Sequence, residues 1–184
     1  MKKIILILAT VVAALSLASC KCNKEQEPVT CEFNKNIIAD HETVKQANPG
    51  HIVQLMEVQT VLTDTLTKAN PADIKVAMAT EVFRVGEKVV FVNRDYVNGA
   101  FEMTEQSGHW LGDVAINVHK TGDFDKAITA LFDSGLNVPA TAYMTLRNPL
   151  NATVREYPLY IFGSQNTHFV GVDAGTYAVE AFEE

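Results

Sequence analysis

The first nineteen residues, MKKIILILATVVAALSLAS, limit what the chain can fold before any other feature is weighed. Lys2 and Lys3 give a short positive start. Ile4 to Leu17 is apolar apart from Thr10 and Ser16, and the stretch ends on small residues. This is the build of a secretory signal peptide, too short and wrongly flanked for a stable membrane span. Taking 1–19 from the 184 leaves 165 residues to fold, enough for one domain with a real core and too few for two comfortable ones.

The last residues of that segment and the next one, Leu17-Ala18-Ser19-Cys20, resemble the lipobox of bacterial lipoproteins. The resemblance implies cleavage before Cys20, a diacylglycerol on its thiol, acylation of its amine with fatty acid such as palmitate, and attachment to a membrane through that lipid. Each buried methylene of such a chain contributes about 0.8 kcal/mol, and two or more chains give durable attachment where one gives reversible binding. An ordinary cleaved signal with an incidental Cys20 is the competing reading. Many similar lipoproteins kept at the inner membrane carry aspartate after the cysteine. Lys21 stands there instead, which implies the outer membrane of the cell envelope.

The signal holds two of the fifteen basic residues and no acid, so the remainder carries 13 Lys and Arg against 22 Asp and Glu, a net charge of about −9. A balance this acidic argues against a nucleic-acid partner and against docking on anionic lipid beyond the anchor. Cys22 and Cys31 lie nine apart in a compartment where disulfides persist. A bridge, two free thiols and a metal pair all stay open. The metal reading is the weakest, since the nearest histidine is His41.

Residues 20–36 are polar, mixed in charge and broken by Pro28, and read as the lipidated cysteine with a flexible tether. Residues 37–184 then read as a single α+β domain. In 51–69, Ile52, Leu55, Met56, Gln59, Leu62 and Leu66 fall near helical spacing, while the Val and Thr content favours a strand. The length of the segment favours helix. Asn70 and Pro71 can open a second helix to about Phe83, with a strand after Gly86. The rival reading is a hairpin over 74–92 turning at Val85-Gly86-Glu87-Lys88.

The second half is plainer. DVAINVH (113–119) alternates as a half-buried strand. TGDFDKAITALFDSG (121–135) is an amphipathic helix capped by Asp123, with Phe124, Ala127, Ile128, Leu131 and Phe132 as its apolar stripe and Gly135 at its end. ATAYMTLR, EYPLYIFG, THFVGVD and TYAVEAF are short strands joined by polar turns, hence antiparallel neighbours. The fold class is therefore α+β, an antiparallel meander packed by one or a few helices in a two-layer sandwich. One unit and two related half-domains are both compatible with that order. The helix-then-meander order closing on VGVDAGTYAVE resembles PepSY and PepSY-like envelope domains, which end on a strand pair around a Val-Asp-Ala-x-Thr stretch. The turn departs from that family, with Ala174-Gly175-Thr176 in place of its usual Lys-Thr-Gly. The resemblance implies inhibition, chaperoning or binding at the envelope.

Little in the chain points to catalysis. There is no His-Glu-x-x-His, no Gly-x-Ser-x-Gly elbow and no glycine-rich loop between strand and helix, so no cofactor is expected. His109, Asp113 and His119 form the one local trio worth testing for metal. Asp113 and His119 would lie about 20 Å apart along a strand, too far for one ion. Trp110, between Gly108 and Gly112, is either a core plug or a contact for a partner. Tyr160 belongs to a strand apolar on both faces, and the second face must meet something: the N-terminal half or a partner protein. Asp64-Thr65-Leu66 resembles the O-glycosylation sites of Bacteroidetes, which implies Thr65 as an acceptor. The expected function is thus a lipid-anchored envelope module that binds a protein or peptide without turning it over. A small envelope hydrolase, metal-assisted or not, is the alternative.

Overall fold

The computed structural model describes residues 29–110, 114–148, 156–165 and 167–182, with side chains in the first helix from residue 32 onward. The chain runs α1 (Val29–Ala47), β1 (Val53–Leu62), β2 (Val76–Val85), β3 (Lys88–Asp95), β4 (Phe101–Ser107), α2 (Phe124–Asp133), β5 (Tyr143–Arg147), β6 (Leu159–Phe162), β7 (Phe169–Asp173) and β8 (Val179–Phe182). All eight strands form one antiparallel sheet in the order β4-β3-β2-β1-β5-β6-β7-β8. Each half supplies one helix followed by a four-stranded meander, and the halves join where Glu57–Val61 of β1 pairs Arg147–Tyr143 of β5. The sheet is open, with β4 and β8 as its edges.

Both helices lie on one face. In α1, Phe33, Ile37, Asp40 and Val44 repeat at intervals of four, three and four residues, and all are buried. Asn48 ends the helix by donating from Nδ2 to the Val44 carbonyl at 2.8 Å. Asp123 caps α2 as expected, its Oδ1 accepting from the amides of Asp125 at 2.9 Å and Lys126 at 3.3 Å. The core fills the space between these helices and the sheet. Four aromatic rings run edge-on through it, Tyr96–Phe33–Phe124–Tyr160, with centroids 6.1, 5.9 and 6.1 Å apart. They connect a residue after β3, both helices and β6, so the halves share one core.

Several expectations are corrected. The helix begins at Val29 and Phe33 is fully buried, so 29–36 belongs to the folded domain and not to a tether. Residues 53–62 are a strand, not a helix. β1 is central, pairs on both sides, and has a bulge between Leu55 and Glu57 that buries Leu55 and Met56 in succession. That bulge produced the near-helical spacing. Residues 70–83 are no helix either: a short 3-10 turn at Pro71–Asp73 precedes β2, and the hairpin through Gly86-Glu87 is the rival reading realised. The strand expected at 113–119 reduces to isolated bridges, Val114 to Asn148 and Ile116 to Leu55, followed by a 3-10 turn at Val118–Lys120. The four C-terminal strands and the turn after Asp173 stand where the sequence placed them.

Candidate functional site

The helices cover only one side of the sheet, and because side chains alternate along a strand, every second residue projects from the other. Register places Val58, Phe83, Val90, Leu146, Tyr160 and Val172 on the covered side, in the core. The residues between them project from the side that carries no helix. One row there crosses the sheet: Met78 of β2 pairs Val61 of β1, and Val61 pairs Tyr143 of β5. Across Gly163 the row continues to Phe169 of β7, which pairs Phe182 of β8. Met78 is 52% exposed, Val61 37%, Tyr143 56% and Phe169 37%. Beside this apolar row is a depression of about 360 Å³ lined by Glu57, Thr145, Arg147, Ile161, Phe169 and Phe182.

Two glycines shape the floor of that depression. A Cβ on Gly163 would come within 2.3 Å of the Phe169 ring, and one on Gly171 within 3.0 Å of the Phe182 ring. The phenyl groups therefore pack against bare glycine backbone, in space that a Cβ would take. Toward the other edge polar side chains on this face are locked by side-chain bonds, beside Val82 and Val89, which are buried there, and Phe91, which meets Trp110. Gln59 Nε2 donates to Glu57 at 2.7 Å, Thr80 Oγ1 to Asn93 at 2.8 Å, and Arg84 donates twice to Gln54 at 3.1 and 2.7 Å. The sequence shows that the strand of Tyr160 is apolar on both faces but not that Met78, Val61, Tyr143 and Phe169 form one row, because strand order had to be known first.

On the covered side a second polar group sits inside the core. Arg94 of β3 makes a two-point ion pair with Asp40 of α1, and Glu81 of β2 is fully buried beside them. Neither Glu81 oxygen has a donor within reach. Burial, then the Asp40 carboxylate, push the Glu81 carboxyl well above the usual range, and the Arg94 guanidinium opposes this least. A protonated Glu81 can donate to Asp40 and so completes the group. The same surroundings, burial foremost, raise the Tyr96 phenol. The group ties α1 to the sheet and has no opening to the depression.

The sequence candidates fare differently. Tyr160 is fully buried, with Asn34 Nδ2 donating to its hydroxyl at 2.9 Å and that hydroxyl donating to the Thr121 carbonyl at 2.5 Å. As a partner contact it is corrected: the face it occupies is the one the helices cover. Trp110 is half-buried, edge-on to Phe91 at 6.3 Å. His109 and His119 are exposed, His119 in a turn and not on a strand, while Asp113 lies outside the described residues. Among the described residues no three His, Cys, Asp or Glu side chains come together as a metal would need. Thr65 is half-buried in the turn after β1, its amide donating to Asp64 Oδ1 at 2.6 Å. Cys20 and Cys22 lie outside the described residues, as does the side chain of Cys31. No helix among the described residues is long and apolar enough to cross a membrane.

No family model and no curated protein matches the chain, so the likeness to PepSY domains rests on the quoted stretch and its turn alone. Among solved structures, one from Clostridium difficile 630, a protein provisionally named a lipoprotein, superposes with a TM-score of 0.53 over 87% of this chain and 97% of its own, at 11% identity. At that identity the similarity is one of fold alone.

Proposed function

We propose that this is a lipoprotein of the cell envelope, acylated on Cys20 and held at the outer membrane, whose α+β domain binds a protein or peptide partner without catalysing a reaction on it. The lipobox supports the anchor, and the provisional name of the fold neighbour agrees with it. The exposed row Met78–Val61–Tyr143–Phe169 carries the binding reading. Contiguous apolar surface costs solubility, and where it persists beside a depression lined by both apolar and charged side chains it marks a contact site.

Two arms test this. Growth with labelled palmitate should mark the protein and leave a Cys20→Ala variant unmarked; an unlabelled wild type removes the anchor. A photoreactive residue at Thr145, which lines the depression, should crosslink a partner in intact cells, while one at exposed Thr129 on α2 should not. Equal crosslinking at both positions, or none at either, removes the binding reading.

A further inference from the structure

The apolar row runs across the strands, and its direction restricts what can lie on it. From β2 to β8 it spans five inter-strand steps of about 4.8 Å each, about 24 Å in all. An extended peptide lying along that line would present successive same-side residues about 6.6 Å apart and fall out of step within two strands. An α-helix rises about 5.4 Å per turn, close to the strand spacing, so each turn sets one apolar side chain over one strand. About sixteen residues of helix cover the row.

Charge restricts the partner further. The described side chains on this side supply Glu57, Asp95, Glu102, Asp173 and Glu180 against Arg84 and Arg147. Asp95 stays ionised because bonds from Asn98, backbone and side chain, hold its carboxyl below the usual range. A second copy of the chain would bring like charge against like charge, and an anionic lipid surface would be repelled. A cationic partner meets neither obstacle.

Resting on the binding reading above, we infer that the helix-free face receives an amphipathic helix of another protein, laid across the strands, with large apolar residues on one side and Lys or Arg flanking them. This is helix-on-sheet docking, in which apolar anchors supply affinity and the flanking cations supply orientation.

The test uses the whole protein in phosphatidylcholine nanodiscs, with empty discs as the blank. The probe is a dye-labelled Leu/Lys peptide of about sixteen residues with helical periodicity, read by fluorescence anisotropy. Binding to the wild type should weaken at least tenfold in a Met78→Gln/Tyr143→Ser double variant whose circular dichroism is unchanged. It should weaken at least as much when the peptide lysines become glutamates or when a proline interrupts its centre. Equal binding of the glutamate peptide overturns the cationic partner, and equal binding of the proline peptide overturns the helix; both leave the face as a binding surface. No binding to the wild type, binding undiminished in the double variant, or a dimer dissolved by that variant overturns the inference. In those cases crosslinking from Thr145 decides the broader reading independently.

Discussion

Asp40 on α1 and Arg94 on β3, 54 residues apart in the chain, share two contacts: Nε to Oδ2 at 3.0 Å and Nη2 to Oδ1 at 2.5 Å. The pair orients α1 on its own half of the sheet, and Glu81 beside it makes stability depend on pH.

The sign follows from the raised Glu81 carboxyl. As pH rises through the ordinary carboxylate range, the unfolded chain releases a proton that the folded one keeps, so stability falls by about 1.4 kcal/mol per pH unit until Glu81 ionises in the fold. Glu81→Gln removes this cost while retaining a donor for Asp40. Urea unfolding at several pH values should find the variant no more stable than the wild type near pH 4 and increasingly more stable above it.

Phe33→Ala should destabilise by about 3–5 kcal/mol, because Phe33 is fully buried against Tyr96 and Phe124. A residue in a flexible tether would cost nothing. Chemical denaturation therefore checks where the domain begins.

Removing the Tyr160 hydroxyl tests how α1, the segment before α2, and β6 are joined. Asn34 reaches the Phe124 amide through Oδ1 at 3.1 Å and Tyr160 through Nδ2. Tyr160→Phe should cost about 1–2 kcal/mol, and the Asn34→Ala, Tyr160→Phe double variant should cost less than the two singles added.

Gly122 takes φ +69°, and a Cβ there would sit 2.1 Å from the Ala174 carbonyl oxygen. Gly122→Ala should lower stability by about 3 kcal/mol or more. Gly99→Ala, with φ +72° but open space around it, should cost only the roughly 1–2 kcal/mol of the left-handed conformation. Melting temperatures of the two variants give the comparison.

Legibility in the sequence followed local chemistry. Asp123, the stripe of α2 and the turn after Asp173 are signals within a few residues, and each was readable. β1 was not, because a bulge at Leu55–Glu57 breaks its alternation at the start and adds a false helical spacing. The start of α1 was hidden for a related reason: its exposed side is as polar as a linker, and only packing identifies Phe33 as core. The candidate surface depends on which strands are neighbours. Nothing in the local pattern around Val61 or Tyr143 announces that β1 and β5, some eighty residues apart, lie side by side.

Every ladder in the sheet except β1–β5 joins strands that are consecutive in the chain. During synthesis from the N-terminus, the first four strands can therefore zip together before β5 exists, leaving β1 with a naked hydrogen-bonding edge. The strand order thus permits a half-built state with adhesive flanks, which β5 seals on arrival.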